Sequence, residues 1–533
     1  MHSLIPLSLI LAVFDAVHAV KLPFYVRTTS TSTGTRKLGR RSVAISNNGN
    51  AEYISNITLG GTNIPVILDT GSSDLWVSFP GTAPTTTDLG KSLSLSYAVG
   101  SASGNIHTAQ LQFDNYTVDN QAFLLVANAS SFSTDSAFNG LVGLGPNEGS
   151  LIQAKIDSAA GDTMLNRIFQ QNKTTSNYIT FLLDRKNDPS QTLTGQFTIA
   201  EPVTGYENIT SQTKLNVETV HKILEDQQHW QALTDKDHTV VGPDGSVISI
   251  SSIVPKAPDG QLVAVFDSGF TFSQVPRDLS DAIYGRVQGA VYDTKNEWWT
   301  VPCGQELNLT FFFGARHSRV IHPLDVVDDN FKILDSSGNH VCIGAFQPIT
   351  SAFSLFGNFD MILGMTFLRN AYTLMDFGDW VDNASTDRVD PYIQLLPLTN
   401  AASAHADFVK VRLGGVDTSG SSQYTLLPSS QQQHSPVSEA EKKAKYEEMI
   451  LSRWPYILVG CLVFVVLLVG LIVWRCCCRR GKKNKKGAKG FFEQKSQTYL
   501  PLQVQGGAPM HHHQGGAGTD YNYGGKGYTG YSG

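Results

Sequence analysis

Two short motifs each place an aspartate ahead of a hydroxyl residue and a glycine, Asp69-Thr70-Gly71 and Asp267-Ser268-Gly269. Each motif follows an apolar run, at residues 64–68 and 262–266. An apolar strand that ends in such a turn directs its carboxylate out of a packed sheet. Because two facing carboxylates cannot both ionise at low cost, they share a proton and supply one base and one acid. This pairing is suited to activating a water molecule against a peptide carbonyl.

The first motif continues as Asp69-Thr70-Gly71-Ser72-Ser73-Asp74-Leu75-Trp76-Val77. This run closely resembles the first active-site segment of the pepsin-like aspartic proteases, peptidase family A1. A lone Asp-Thr-Gly is common and is often only a strand-to-turn corner, but nine matching residues and a second motif are far more specific. The resemblance implies the following site residues: Asp69 and Asp267 as catalytic, Gly71 and Gly269 as substrate-binding, and Thr70, Ser72, Trp76 and Ser268 as supporting.

Further segments follow the pattern of the same family in the same order. Leu95-Ser96-Tyr97, with glycines at 100 and 104, resembles the flap that closes over the substrate. The resemblance implies that Tyr97 contacts the substrate and reaches the Trp76 indole, whose N–H needs a partner when buried. By itself, Tyr97 would equally fit a surface hairpin. Residues 140–145 and 361–365 resemble the paired segments that brace the two aspartate loops, although each alone is simply a buried strand.

The chain also departs from the family pattern at the site. Phe270 stands where the family has a second hydroxyl residue, so Ser72 can donate to Asp69 but Phe270 cannot donate to Asp267. Losing a hydrogen bond to the charged form raises a carboxyl pKa. We therefore expect an asymmetric dyad in which Asp267 is more readily protonated. Ala98 and Val99 replace the small and hydroxyl residues usual at the flap tip.

The pattern of the central region predicts an all-β fold with minor helices. Short apolar or alternating runs, separated by Gly, Asn, Ser and Pro, dominate residues 50–398, and helical periodicity is confined to segments such as Met164–Gln171 and Leu279–Val291. The resemblance implies a bilobal pepsin-like domain, with an N-lobe at about 50–205 and a C-lobe at about 206–398.

The charge is distributed unevenly along the chain. Residues 51–400 contain 37 acidic and 18 basic side chains, whereas residues 475–533 contain 10 basic and 2 acidic. An acidic folded region repels itself less as its carboxylates protonate, which suits work in acid. Nothing resembles a nucleic-acid-binding module, so we expect peptide or protein substrates and no nucleic-acid partner. We also expect a monomer that needs no metal or cofactor.

The N-terminus predicts entry into the secretory pathway. Residues 4–17 are mostly apolar, and Val17-His18-Ala19 ends with a small residue, which indicates a signal peptide over residues 1–19. Residues 20–41 form a short pro-segment in this interpretation, and a processing protease that recognises dibasic pairs would cleave at Arg40-Arg41. The alternative is that residues 20–41 are only a flexible basic linker.

Sequons and cysteines point to the same compartment. All seven Asn-x-Ser/Thr sequons precede the apolar segment near the C-terminus, and we expect glycosylation at Asn56, Asn115, Asn128, Asn172, Asn208, Asn308 and Asn383. The spacing of Cys303 and Cys342 resembles that of the family's C-lobe disulfide. In an oxidising lumen we expect this pair to form a disulfide.

Residues 454–474 carry no charge and are rich in Leu and Val, with a tryptophan at each end. Twenty-one helical residues span roughly 30 Å, so we expect a transmembrane helix. The basic residues that follow place the tail, 475–533, in the cytosol and predict type I topology at the cell surface or in an acidic internal compartment. Residues 399–453 are interpreted as a stalk that is flexible over 400–437 and helical over 439–453, and the Gly/Tyr/His-rich end of the tail as disordered.

Three functions fit these features. The first is a membrane-tethered aspartic endopeptidase. The second is a catalytically silent protein that keeps the cleft to bind peptides, and Phe270 is the one feature that favours it. The third is a surface or adhesion protein whose tail carries the function, but the tail contains no recognisable module. Because both aspartates are present with Ser72, Trp76 and Tyr97, the sequence favours the endopeptidase.

Overall fold

The computed structural model describes residues 42–479, except 80–84, 98–99, 131–136, 173–175, 187, 190–194, 221–226, 315–316, 336, 351–357, 382–388 and 438. The expected signal peptide and pro-segment, the flap-tip residues Ala98 and Val99, the sequon residue Asn383, and the tail beyond Arg479 lie outside the described residues. The chain forms one compact unit up to Ile457 and a second unit from Leu458.

Strands make up most of the regular secondary structure described in the first unit, as the alternating pattern predicts. In chain order they are β1 Ser42–Ala44, β2 Ser46–Asn48, β3 Glu52–Leu59, β4 Thr62–Asp69, β5 Leu75–Val77, β6 Thr87–Ser96, β7 Ser101–Phe113, β8 Tyr116–Ser130, β9 Gly140–Gly143, β10 Tyr178–Leu182, β11 Gln196–Ile199, β12 Leu215–Asn216, β13 Gln231–Leu233, β14 Val240–Val241, β15 Val263–Phe266, β16 Ser273–Val275, β17 Val291–Asp293, β18 Trp298–Val301, β19 Leu309–Phe313, β20 His317–Ile321, β21 Val327–Leu334, β22 His340–Gly344, β23 Phe346–Pro348, β24 Met361–Leu363, β25 Ala371–Asp376 and β26 Tyr392–Pro397.

The helices are short, apart from the last two. They are α1 Leu151–Ile156, α2 Met164–Gln171, α3 Arg277–Tyr284, α4 Pro323–Val326, α5 Met365–Leu368, α6 Ala401–Arg412 and α7 Glu439–Arg479. The helix expected at Met164–Gln171 is confirmed as α2. The helix expected over Leu279–Val291 is shorter than predicted, because α3 ends before Gly285 and Val291 already begins β17.

The sheets divide the chain into two halves that share one sheet. An eight-stranded sheet is built from β2 to β9, and sheets of five, three and four strands are built from β13 to β24. The remaining six-stranded sheet has the order β1-β11-β10-β25-β26-β12, so strands from both ends of the unit are paired side by side. The two halves are therefore joined by continuous backbone hydrogen bonding.

A buried ionic cluster also joins the two halves. Asp325 in α4 accepts hydrogen bonds from Arg369 Nε at 2.7 Å and from Arg185 Nε at 2.9 Å. Burial would raise the pKa of Asp325, but the two guanidinium groups hold it well below its usual range. A lowered pKa in the folded state adds stability that is lost only as the pH falls through that lowered value. The cluster therefore remains ionised under acidic conditions.

The expected disulfide is present. Cys303 and Cys342 are bonded, with their Cα atoms 5.0 Å apart and 39 positions apart in sequence. Cys342 lies on β22, which pairs with β18, and Cys303 follows β18 by two residues. The disulfide thus closes a loop already ordered by the four-stranded sheet. A disulfide that closes a loop of this length adds about 3–4 kcal/mol to the free energy of unfolding.

The segment expected to be a flexible stalk is instead packed against the second half of the protein. After helix α6, the chain runs along this surface to residue 437, and we refer to residues 401–437 as the C-terminal strap. Phe408 is fully buried, and Arg412 donates to the carbonyl of Val327 at 2.8 Å. Farther along, the Leu427 N–H donates to the Arg286 carbonyl at 2.8 Å, and the Ser435 hydroxyl donates to Asp281 at 2.7 Å.

The composition of the strap concealed this packing. Ser, Gln and Gly residues are typical of linkers, but here their backbone and side-chain polar groups bond to partners on the protein surface. Two glycines make room for the contact, since a Cβ atom on Gly285 would clash with the Gln433 carbonyl and one on Gly304 would clash with the Tyr424 ring. These contacts are long-range and leave no periodic signal in the sequence.

The expected helical extension before the apolar segment is present, because α7 runs without interruption from Glu439 to Arg479. Within it, residues Tyr456–Arg475 have a mean hydropathy of 3.2 and are fully exposed. Among the described residues, this is the one helix long and apolar enough to cross a membrane.

We predict that the strap contributes to the stability of the folded domain. Phe408→Ala should lower the free energy of unfolding by about 3–5 kcal/mol, because it leaves a cavity beneath α6. Val411→Ala is the matched control, since Val411 is 39% exposed on the same helix. Thermal or urea unfolding of both variants would measure the difference. Equal midpoints would mean that the strap is loosely attached.

Candidate active site

The two aspartates occupy equivalent positions at the ends of two strands. Asp69 ends β4, which pairs in parallel with β9 so that Asp69 lies opposite Gly143. Asp267 follows β15, which pairs in parallel with β24, and its N–H donates to the Leu363 carbonyl at 3.1 Å. The segments 140–145 and 361–365 therefore brace the aspartate loops.

Hydrogen bonds between the loops hold the two aspartates together. The Thr70 hydroxyl donates to the Phe266 carbonyl at 2.8 Å, and the Ser268 hydroxyl donates to the Leu68 carbonyl at 2.6 Å. In return, the Ser268 N–H donates to the Thr70 hydroxyl at 2.9 Å and the Thr70 N–H to the Ser268 hydroxyl at 3.1 Å. All of these groups are buried and cannot bond to water. Each hydroxyl therefore supplies the hydrogen bonds that backbone groups of the other loop need.

Each glycine supports the carboxylate of its own loop and leaves space for the other. The Gly71 N–H donates to Asp69 Oδ1 at 2.9 Å, and the Gly269 N–H donates to Asp267 Oδ1 at 2.7 Å. A Cβ atom on Gly71 would clash with the Asp267 carboxylate, and a Cβ on Gly269 would clash with Asp69. Glycine is thus required here for close approach, and the carboxylates lie next to each other.

The hydrogen bonding around the dyad is asymmetric, as the sequence predicts. The Ser72 hydroxyl donates to Asp69 Oδ2. Within the described residues, no side-chain hydroxyl bonds to Asp267, because Phe270 has none and the Thr271 hydroxyl donates to the Ala51 carbonyl at 2.7 Å. The Phe270 side chain instead packs in a small apolar cluster at the cleft that includes Val265.

Both carboxylates are buried, with Asp69 5% and Asp267 6% exposed. Burial raises the pKa of Asp267 well above its usual range, and the neighbouring charge of Asp69 raises it further. The backbone N–H groups of Gly269 and Phe270 oppose this shift without cancelling it. Asp267 is therefore the carboxyl that favours the proton, and the pair can act as one acid and one base.

Tyr97 directly follows β6 in the β6–β7 hairpin, and its hydroxyl is hydrogen-bonded to the Trp76 side chain. Burial raises the pKa of Tyr97 well above its usual range, so its hydroxyl stays protonated. Trp76 and Tyr97 pack in one apolar cluster with Leu95, Ile67 and Ile152. Leu95, Ser96 and Tyr97 of this hairpin line the same cleft as the two aspartates.

Two residues of the site had no role predicted for them from the sequence. The Asp74 carboxylate accepts bonds from the Ser150 hydroxyl at 2.7 Å and the Ile152 N–H at 2.9 Å, which anchors the start of α1 beneath the active-site turn. His229 lines the cleft, and burial lowers its pKa, so that it favours the neutral form. Their positions depend on long-range packing.

The dyad opens into a cleft of about 620 Å³. Its lining includes Asp69, Asp267, Gly71, Gly269 and Tyr97. The sequence-predicted site residues Thr70, Ser72, Trp76 and Ser268 all adjoin this group through the contacts above. The disulfide lies outside it. The sequon asparagines whose side chains are described, Asn56, Asn115, Asn172, Asn208 and Asn308, are all exposed.

A strand-borne aspartate pair, reciprocal loop contacts and a hairpin over a cleft define a class of protein. Residues 52–381, more than half of the chain, match the family model of the eukaryotic aspartyl proteases. The chain belongs to that family and has the pepsin-like, mostly-β fold. It is an aspartic-type endopeptidase that acts on peptide substrates.

Individual relatives are moderately similar. The chain is 24% identical over 343 residues to Aspartic protease PEP1 of Arthroderma benhamiae, a match that covers 61% of this chain and 77% of the relative. It is 25% identical to Aspergillopepsin-1 of Aspergillus oryzae, over 61% of this chain and 74% of the relative. The crystal structure of an aspartic proteinase from Irpex lacteus is 17% identical, with a TM-score of 0.49, and covers 68% of this chain and 99% of that chain. The family assignment rests on residues 52–381.

We predict that restoring a hydroxyl beside Asp267 changes the pH dependence of cleavage. In Phe270→Thr, a hydroxyl that donates to the charged carboxylate lowers the pKa of the dyad's protonated form. The alkaline limb of the pH profile of kcat should then move towards acid, by about one unit if the bond is worth about 1.4 kcal/mol. Phe359→Thr, which alters another cleft-lining phenylalanine of the same cluster, is the control. An alkaline limb that does not move in folded Phe270→Thr would show that the missing hydroxyl has no effect.

Proposed function

We propose that Asp69 and Asp267 are the catalytic residues and that they activate a water molecule held between them. The observation that carries this proposal is the exchange of hydrogen bonds between the two aspartate loops, which places two buried carboxylates side by side at the base of a cleft. Gly71 and Gly269 expose backbone groups to an extended substrate beside them, and Tyr97 covers it.

The proposed reaction needs only one proton shared by the pair. The ionised carboxyl removes a proton from water as its oxygen attacks the peptide carbonyl, and the protonated carboxyl donates to the carbonyl oxygen. The resulting tetrahedral intermediate has two hydroxyl groups. When it collapses, one carboxyl takes a proton back from a hydroxyl, the C–N bond breaks, and the other carboxyl protonates the leaving amine. The raised pKa of Asp267 supports its role as the initial proton donor.

A silent peptide-binding protein would need neither carboxylate to be paired in this way. The buried pair is costly, since each charged carboxyl loses hydration. A buried pair that lines an open cleft is therefore better explained by catalysis than by binding alone. Phe270 removes one donor from the site but leaves both carboxylates in place.

We predict that Asp69→Asn and Asp267→Asn each lower kcat by on the order of 10³-fold or more, because the pair then lacks either its base or its acid. Hydrolysis of a mixed peptide library at several pH values would measure the loss. Asp267→Asn should keep its thermal midpoint at neutral pH, since the raised pKa shows that the folded state disfavours the charge it removes. Ser73→Ala, an alteration in the same turn that removes no carboxyl, is the control. Near-normal turnover in either asparagine variant would contradict the mechanism.

We further propose that the enzyme is a single-pass type I membrane protein of the secretory pathway, with its catalytic domain in the lumen or outside the cell. The exposed apolar helix Tyr456–Arg475 and the basic residues after it support this topology. The signal-like N-terminus and the sequons support it too, and removal of residues 1–41 would complete maturation at Arg40-Arg41.

This topology predicts that a chain ending at Arg453 is released into the medium as a soluble, glycosylated and active enzyme. All seven sequons and both aspartate motifs precede the deleted part. Fractionation, glycosidase digestion and a peptidase assay would measure the outcome beside the full chain. If the shortened chain stays tightly bound to membranes, another element holds the enzyme there.

A further inference from the structure

One hairpin in the cleft wall carries an unusual acidic residue. Strands β17 and β18 are joined by residues 294–297, and the turn is fixed by Asp293, whose carboxylate accepts from the N–H groups of Lys295 at 2.8 Å and Asn296 at 3.1 Å. The last residue of the turn, Glu297, has φ +59°. Glycine or asparagine adopts this left-handed conformation readily, whereas for other residues it costs about 1–2 kcal/mol. The turn itself therefore gives no reason for a glutamate.

The side chain of Glu297 lines the cleft and is fixed there by a hydrogen bond. Glu297 lines the cleft together with both aspartates of the dyad, and its Oε2 accepts a hydrogen bond from the Thr350 hydroxyl at 2.8 Å. Thr350 is only 6% exposed, so it acts as a fixed support behind the carboxylate. Within the described residues no cation pairs with Glu297. Its second oxygen is thus available to a ligand.

A second polar group in the same wall of the cleft lacks a hydrogen-bond partner within the described residues. Gln347 on β23 is 9% exposed and lines the cleft, and its Oε1 accepts from Gln274 Nε2 at 3.1 Å. Its own Nε2 is buried and has no acceptor within the described part of the chain. A buried donor left unpaired costs about 1–3 kcal/mol, which a substrate carbonyl oxygen would relieve. Thr350, which supports Glu297, follows Gln347 by three residues.

The charged side chains that line the cleft are acidic. Its described lining contains no lysine or arginine, and its one histidine, His229, favours the neutral form. Asp74 is already bonded to the start of α1, so Glu297 is the carboxylate outside the dyad that can meet a ligand. A partly buried carboxylate that forms no ion pair within the described residues attracts a positive group and repels an acidic one.

We propose that Glu297 is a specificity-determining residue that pairs with a lysine or arginine side chain of the peptide substrate, while Gln347 donates to a carbonyl of the same peptide. This inference rests on the proposed function and names its substrate class, which is peptides with a basic residue near the cleaved bond. Recognition of the substrate then explains why a glutamate occupies this strained position. Glycine or asparagine would fit the turn better but would lack the charge.

The test compares quenched fluorescent peptides that differ only by Lys or Gln at a single position, scanned across four positions before and three after the cleaved bond. Assays run at pH 5, where the lysine side chain of the peptide is fully protonated. For the mature native enzyme, we expect one position at which Lys raises kcat/KM about tenfold over Gln, which corresponds to about 1.4 kcal/mol. In Glu297→Gln, which retains a group that can accept from Thr350, this ratio should fall to within about twofold of one, as expected when the charge pair is removed.

Three further variants make the result specific. Glu297→Lys should reverse the preference, favouring Glu over Gln at the same position. Asp259→Asn removes an exposed carboxylate of the same half outside the cleft, and should leave the Lys/Gln ratio unchanged. Glu297→Gly should lose the preference while its thermal midpoint stays level or rises, because glycine fits φ +59°.

The outcomes separate the two proposals. If the native enzyme cuts peptides with no preference for Lys at any position, or if Glu297→Gln keeps the preference, the inference is overturned while the proposed function stands. A large fall in the midpoint of Glu297→Gly would show a structural role and would also overturn it. If the native enzyme cuts none of the peptides, the proposed function fails and this inference fails with it.

Discussion

The active site depends on the exchange of hydrogen bonds between Thr70 and Ser268. Each hydroxyl bonds both to a carbonyl and to an N–H of the opposite loop, so neither loop can satisfy its buried backbone groups alone. Buried groups left unpaired cost about 1–3 kcal/mol each. The arrangement therefore fixes the separation of the two aspartates with little freedom, and the shared proton follows from that separation.

The rest of the fold maintains this contact. The six-stranded sheet pairs strands from both ends of the domain. Asp325 accepts hydrogen bonds from both Arg185 and Arg369 and so links the two halves. Because the guanidinium groups keep the pKa of Asp325 low, this link survives where carboxylates elsewhere become protonated. The ionic link between the two halves is therefore retained in acid.

Local residue patterns made part of the fold and part of the active site predictable from the sequence. The aspartate loops and the helix at Met164–Gln171 each have a residue pattern that predicts their local structure, whereas the flap tyrosine was anticipated from the family resemblance. The disulfide was anticipated from its resemblance to the family, and the asymmetry at Phe270 from a single residue type. By contrast, the packing of the C-terminal strap, the anchoring role of Asp74 and the orientation of Glu297 arise from contacts between distant residues. The composition of the strap suggested a linker, and nothing in the sequence indicated the contacts of Asp74 or Glu297.

A double-mutant cycle at Thr70 and Ser268 tests the central claim most directly. Thr70→Val and Ser268→Ala remove one hydroxyl each without touching a carboxylate, and kcat/KM and the free energy of unfolding would be measured for both single variants and the double variant. If the two hydroxyls act as one reciprocal unit, each single change should cost nearly as much as both, with a coupling energy of about 1 kcal/mol or more. Additive effects, or near-normal activity in the double variant, would contradict the account.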